Sequence, residues 1–257
     1  MKRTLIIVST ILVMIAEFYG CKSKSSVEAE KPSPVYIGDN ARNNLEWAGT
    51  YIGLLPCADC PGIETRLTLD KKGAYTLIEK YIGHDDTPFE TKGTFQWSAL
   101  GNTVTLTDAR SKEVSHYAVA EGQLTKLDNE SNVITGEHAA DYILAQVNPL
   151  LTGKKWKLAE LNGKPVENSQ AFLLLDAAGK TSGNLGCNTF TGTYILKIGN
   201  RIRFSKLAAT LKMCVNMETE NNLKKVFEVA DSYSVSDSEL ILNRARMAPL
   251  AKFVPEK

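Results

Sequence analysis

Short runs of alternating apolar and polar residues constrain the fold of this chain more strongly than any other feature of its sequence. A period of two is typical of strands that bury one face, and turn sequences rich in Gly, Asn and Asp separate the runs. In the first half the runs lie at residues 50–54, 64–69, 74–78, 93–97 and 103–107. Short, evenly spaced strands of this kind predict a small antiparallel barrel over residues 45–147.

The second half of the chain continues this pattern and adds one helix. Residues 155–161 have a strand pattern that runs into Asn162 and Gly163, a strong hairpin signal. Further strand patterns lie at residues 172–175, 192–196, 201–204 and 239–242. Apolar residues recur at helical spacing over residues 217–232. We therefore predict a mainly β protein, in which residues 150–257 form a second mostly-β domain with one packed helix.

The first 44 residues have the pattern of an export leader followed by a tether. Two basic residues precede an apolar run at residues 5–16, and the sequence turns polar after Cys21. A helix that crosses a bilayer needs about 20 apolar residues, so this run is too short to span one. We predict a lipoprotein signal peptide over residues 1–20, lipid on Cys21, and a flexible tether over residues 21–44. The alternatives are a secretory signal in which Cys21 is incidental and a transmembrane anchor.

Charge and motifs argue against several classes of function. The 30 basic and 29 acidic residues nearly cancel, and their signs are interspersed. Because there is no basic stripe, nothing favours nucleic acid as a partner. The chain has no Gly-x-Ser-x-Gly and no His-Glu-x-x-His motif, and its histidines at positions 84, 116 and 138 are scattered. These features favour a protein that is not an enzyme.

Cys57 and Cys60, separated by two residues, form the sharpest chemical motif. Export would place them in an oxidising compartment, where a structural disulfide is the simplest interpretation. Two other chemistries stay open: a redox-active thiol pair, and a Cu(I) site of two thiolates with His84 or a methionine as a further ligand. Pro61 and Gly62 disfavour a thioredoxin-like helix start, and a structural zinc site would need a second such pair.

Two segments of the first half carry a resemblance to a known family. Residues 53–69, GLLPCADCPGIETRLTL, and residues 93–97, GTFQW, resemble the NlpE N-terminal domain. The resemblance implies a lipocalin-like barrel on an outer-membrane lipoprotein, associated with copper resistance and with signalling of envelope stress. It therefore implies copper handling or sensing for Cys57 and Cys60, and an envelope-stress signalling protein as a partner.

Two segments of the second half resemble the META/HslJ domain. These are residues 183–194, GNLGCNTFTGTY, and residues 209–214, ATLKMC. The family is linked to stress, drug resistance and motility without a known reaction. The two segments supply Cys187 and Cys214, and a disulfide between them would close a loop of about 26 residues, typically worth about 3–4 kcal/mol. The alternative is two buried, inert cysteines that pack as small hydrophobes.

Together these patterns predict a non-enzymatic lipoprotein of the cell envelope, anchored at the outer membrane by lipid on Cys21. We expect a role in stress or copper sensing or resistance, acting through the loop of Cys57 and Cys60. No cofactor is required for such a role, and copper is the metal that the resemblance suggests. The alternative function is a lipocalin-like carrier of a small apolar ligand inside the first barrel. A thiol–disulfide enzyme would need a lowered pKa at Cys57.

Overall fold

The computed structural model describes residues 40–83, 87–167, 169–245 and 249–256. The predicted signal peptide, Cys21, nearly all of the tether, and His84 lie outside these residues, so the statements about them stay predictions. Among the helices of the described residues, none is long and apolar enough to cross a membrane.

The first half folds into a closed antiparallel barrel of eight strands, preceded by a short helix. The elements are α1 (Ala41–Asn44), β1 (Gly49–Leu55), β2 (Ile63–Leu69), β3 (Ala74–Tyr81), β4 (Phe89–Trp97), β5 (Thr103–Asp108), β6 (Val114–Ala120), β7 (Gln123–Lys126) and β8 (Ile143–Gln146). Each strand pairs with the next, and β8 closes the barrel against β1 where Ile52 lies opposite Ala145. The predicted antiparallel barrel is confirmed.

Large side chains fill the interior of the first barrel. Those that are fully buried include Tyr51, Leu67, Leu106, Tyr117, Leu124 and Leu144. Burying a leucine side chain contributes about 2 kcal/mol, so this cluster holds the eight strands together. Gly93 sits at a close approach of β4 to β5, because a Cβ atom there would overlap the carbonyl oxygen of Thr107 and the ring of Tyr75.

The second half also closes into a barrel, formed by eight of its ten strands. The elements are β9 (Lys155–Leu161), β10 (Lys164–Pro165), β11 (Phe172–Leu175), β12 (Lys180–Asn184), β13 (Thr189–Lys197), β14 (Arg201–Phe204), β15 (Ala208–Ala209), α2 (Glu218–Val229), β16 (Ser232–Val235), β17 (Leu240–Asn243) and β18 (Ala251–Pro255). The order is β9-β11-β12-β13-β14-β16-β17-β18, and β18 pairs back with β9. The predicted mostly-β domain with one packed helix is confirmed.

Helix α2 packs on the second barrel through one apolar face. Leu223, Val226 and Phe227 are buried, and the exposed positions of the helix are mostly polar. The ring of Phe227 lies 5.3 Å from that of Phe190 and 4.9 Å from that of Phe204, measured between centroids. These contacts hold the last turns of α2 against β13 and β14.

The two barrels share an apolar contact. Ile52 on β1 and Ala145 on β8 point away from the first barrel and join the apolar core of the second. The segment between the barrels is also anchored, because the indole Nε1 of Trp156 donates a hydrogen bond to the buried carbonyl of Leu151 at 3.0 Å. The described residues, which begin at residue 40, therefore belong to one compact unit that contains both barrels.

Candidate functional site

The loop between β1 and β2 carries Cys57 and Cys60, which the structure joins in a disulfide with Cα atoms 5.3 Å apart. Both cysteines are half-buried, whereas Ala58 and Asp59 between them are exposed. Gly62 ends the loop with a φ of 151°, in the region that favours glycine, and a Cβ atom there would press against Leu54. The strand ladder begins again directly after the loop, so the bridge lies at the end of a regular hairpin.

Asp59 adds a carboxylate to the two sulfur atoms. One ligand atom from each of Cys57, Asp59 and Cys60 lies within 4.8 Å of the others, and within the described ranges no other such group of three potential metal ligands is found. The disulfide sulfurs cannot act as thiolates. Reduction by two electrons and two protons would supply two thiols, which become ligands for a soft ion such as Cu(I) when they lose their protons. The donor set therefore fits copper only in the reduced loop.

The two described histidines do not extend this group. His116 lies on β6, where its Nδ1 is 3.0 Å from the hydroxyl of Thr105. His138 lies beside Asp141, with 3.3 Å between its Nδ1 and the carboxylate. Neither lies in the cysteine loop, which leaves Asp59 as the further oxygen ligand that the structure offers.

The second cysteine pair is also a disulfide in the structure, with the Cα atoms of Cys187 and Cys214 6.2 Å apart. It joins the turn after β12 to the exposed segment before α2. Next to it, Asn188 is buried and makes hydrogen bonds across the same gap. Its Oδ1 accepts from the hydroxyl of Thr210 and from the backbone N–H of Lys212, both at 2.7 Å. Its Nδ2 donates to the carbonyl oxygen of Lys212 at 3.0 Å.

Glu220, in the first turn of α2, completes this network. Its side chain is only 1% exposed, and its carboxylate accepts hydrogen bonds from the backbone N–H and the Nδ2 of Asn188 at 2.9–3.0 Å. Lys224, one turn later, donates to it at 2.6 Å. Burial opposes its ionisation, but the hydrogen bonds from Lys224 and Asn188 outweigh burial and lower the pKa of Glu220 below its ordinary value. The sequence did not single out Glu220, although a lysine four residues after a glutamate was a usable signal.

A cleft of about 620 Å³ lies where the barrels meet. Its walls combine residues from both halves, among them Glu64, Arg66 and Lys80 from the first and Lys180 and Tyr194 from the second. The mixed charge suits a polar ligand rather than the apolar ligand of the carrier hypothesis. That hypothesis stays a prediction, and the filled interior of the first barrel does not favour it.

These features define the class: a chain of two small β-barrels, each carrying one disulfide at a loop. Residues 51–137 match the NlpE N-terminal domain family and residues 149–257 match the META domain family. These two matches confirm both resemblances seen in the sequence.

Individual relatives match parts of the chain. It is 30% identical to the lipoprotein NlpE of Escherichia coli over 139 residues, which are 53% of this chain and 55% of that protein. The chain thus spans about half the length of that curated relative. Among solved structures, a putative lipoprotein from Shewanella oneidensis shares 42% identity, with coverage of 42% and 96% of the two chains and a TM-score of 0.38. The crystal structure of the Cpx pathway activator NlpE from Escherichia coli shares 24% identity, with coverage of 58% and 84% of the two chains and a TM-score of 0.32.

Proposed function

We propose that this chain is an envelope lipoprotein that reports stress through the redox state of its Cys57–Cys60 loop, and that the reduced loop binds Cu(I). The match to a curated lipoprotein supports the envelope placement, and the link to stress is what the resemblance to the NlpE N-terminal domain implies. Lipid on Cys21 would anchor the chain at the outer membrane, and a signalling protein of the envelope would receive the change in the loop. The proposed role is binding and signalling, with no reaction catalysed.

The observation that carries the proposal is the position of the disulfide at the end of a hairpin. The pairing of Leu55 with Ile63 closes the β1–β2 ladder next to the loop, so we expect the barrel to stay closed without the bridge. A dithiol donor can transfer two electrons and two protons to the bridge and leave as a disulfide itself. The loop would then carry two free thiols and change shape, while the buried side chains behind it stay in place.

Copper capture would follow from the same change. Cu(I) would bind the sulfur atoms of Cys57 and Cys60 as their two protons leave, and the carboxylate of Asp59 lies close enough to take part. Thiolate sulfur prefers Cu(I) to hard ions such as Mg²⁺ or Ca²⁺, so the site would select for soft metals.

The test compares a Cys57→Ser/Cys60→Ser variant with the parent in cells that carry a reporter of envelope stress. We expect the variant to lose both the reporter response to copper and the copper tolerance that the parent gives. Ala58→Ser is the matched control, because it changes an exposed residue of the same loop and keeps both thiols. If the double variant responds as the parent does, the proposal is wrong.

A second measurement separates binding from signalling. The purified, reduced parent should bind one Cu(I) per chain in competition with a colorimetric chelator, and the double-serine variant should bind none at this site. Mass spectrometry of the same chain from the envelope should find lipid on Cys21. An unmodified Cys21 would contradict the anchoring without touching the copper result.

A further inference from the structure

Three large apolar side chains stand almost entirely in solvent on one loop of the second barrel. Leu211 is 92% exposed, Met213 is 99% exposed and Val215 is 110% exposed relative to an extended reference. They alternate with Lys212 and the disulfide-bonded Cys214 over residues 211–215, which we call the apolar loop. Burial of such side chains contributes about 1.5–3 kcal/mol each, and a cluster of exposed ones marks an interaction site more often than chance.

The apolar loop is held in place rather than loose. Its middle is tied to the barrel by the Cys187–Cys214 disulfide. Its start is tied by Asn188, which binds both the N–H and the carbonyl group of Lys212. A loop fixed in this way loses little conformational entropy when it binds, so its exposed apolar groups are preorganised for contact.

The charged residues that precede and lie within the apolar loop are basic, whereas the exposed Glu218 follows it at the start of α2. Residues 201–217 contain Arg201, Arg203, Lys206 and Lys212 and no acidic residue. Arg201 pairs with Asp231 at 3.0 Å. The other three are exposed and have no acidic partner within the part of the chain that the structure describes. This stretch is locally basic although the chain as a whole is nearly neutral.

We propose that the apolar loop inserts into the surface of a phospholipid bilayer that contains anionic headgroups. Protruding apolar side chains flanked by lysines suit such a surface, because the apolar groups can enter the boundary between headgroups and acyl chains. Each nearby basic residue adds about 1 kcal/mol to the binding free energy through attraction to the anionic headgroups. A loop that projects as three separate side chains offers no groove for a peptide. The proposal uses the envelope placement argued above but not the chemistry of Cys57 and Cys60.

The test places a benzophenone photocrosslinking amino acid at position 213 of the full chain, expressed in cells. The matched control carries the same group in place of Leu100, a single exposed apolar residue (78%) in a turn of the first barrel. After irradiation, mass spectrometry identifies the adducts. We expect phospholipid adducts at position 213 at least about fivefold above those at position 100, and a loss of most of this excess in a Lys206→Glu/Lys212→Glu background.

Three outcomes would overturn the proposal: a protein adduct as the main product at position 213, equal lipid yields at the two positions, or no adduct from a photolysed label at 213. The charge variants keep the backbone groups of Lys212 that Asn188 holds, so they test charge rather than folding. The mass of Cys21 in the same samples separates the two ideas. Lipid adducts at position 213 with an unmodified Cys21 would contradict the anchoring but support insertion of the apolar loop. A lipidated Cys21 without lipid adducts at position 213 would support the anchoring and contradict insertion of the loop.

Discussion

The two disulfides of this molecule have the same chemistry and opposite surroundings. Cys57–Cys60 has a sequence separation of 3 and closes one loop at the end of a hairpin. Cys187–Cys214 has a separation of 27 and joins the turn after β12 to the segment before α2. Among the described residues, no buried polar network lies beside the first bridge, whereas the second lies next to the buried pair of Asn188 and Glu220. We therefore expect a change in the redox state of the first bridge to act locally, and a change in that of the second to affect the packing of α2.

Breaking the long bridge should have the largest effect. A Cys187→Ser/Cys214→Ser variant is expected to lower the free energy of unfolding by about 3.5 kcal/mol, because the unfolded chain regains the entropy of a long closed loop. Equilibrium urea unfolding followed by circular dichroism measures the loss. A loss no greater than that of the double variant of Cys57 and Cys60 would break the comparison.

Removing the carboxylate beside the long bridge comes next. Glu220→Ala is expected to lower the free energy of unfolding by about 3 kcal/mol, because it leaves the buried backbone N–H of Asn188 and one of the two N–H groups of its Nδ2 without an acceptor. Glu218→Ala, an exposed residue in the same helical turn, is the control and should cost less than about 0.5 kcal/mol.

The two groups that hold the segment before α2 should also be coupled. In the Cys187→Ser/Cys214→Ser background, Glu220→Ala should cost about 1 kcal/mol less than in the parent, since Asn188 then holds a segment that is already partly released. Fully additive losses of stability would mean that the bridge and the hydrogen-bond network act independently. The second disulfide would then stabilise the fold only through the length of the loop that it closes.

The short bridge should matter least to stability. Cys57→Ser/Cys60→Ser is expected to lower the free energy of unfolding by at most about 2 kcal/mol. A bridge that closes a loop of only a few residues removes little conformational entropy from the unfolded chain. Hydrogen exchange measured by mass spectrometry should rise only in peptides that contain residues 54–63. Faster exchange in the buried strands of the first barrel would show that this bridge also supports the core, and would weaken its role as a local sensor.

Part of this comparison was predictable from the sequence. The alternation of apolar and polar residues at 64–69 and 74–78 predicts β2 and β3, because a period of two indicates a strand with one buried face. The predicted helix at 217–232 is found as α2, at Glu218–Val229. The closure of the second barrel was not predicted, because β9 and β18 come from opposite ends of the domain and no local pattern encodes their pairing.

The roles of Glu220 and the apolar loop were hidden for a related reason. A glutamate in the first turn of a helix is usually an exposed partner of the helix dipole, and only the fold brings Asn188 against it. From their residue types alone, Leu211, Met213 and Val215 would be expected to lie in the core. Their exposure follows from the fixed path of the backbone between Thr210 and Cys214, which the sequence does not reveal.

Acid should change the stability contributions of one carboxyl group in each barrel in opposite directions. In the second barrel, the pKa of Glu220 lies below its ordinary value of 4.5, so its stabilisation is complete above that pH and is lost as the pH falls through the lowered pKa. In the first barrel, burial raises the pKa of Glu79 on β3 above 4.5, although Lys126 opposes the shift. Its ionised form therefore costs stability, and this cost disappears as the pH falls through the raised pKa.

Glutamine variants isolate the two contributions from those of all other groups. The stability lost on Glu220→Gln should shrink as the pH falls from 7 to below 4.5, because the parent then loses the same charge. The stability gained on Glu79→Gln should also shrink, but it should do so at a higher pH, since the pKa of Glu79 is raised and that of Glu220 is lowered. Urea unfolding at a series of pH values gives both curves. Two curves that change over the same pH range would mean that the hydrogen bonds of Asn188 and Lys224 do not hold the Glu220 charge, and that the long disulfide alone sets the second barrel apart.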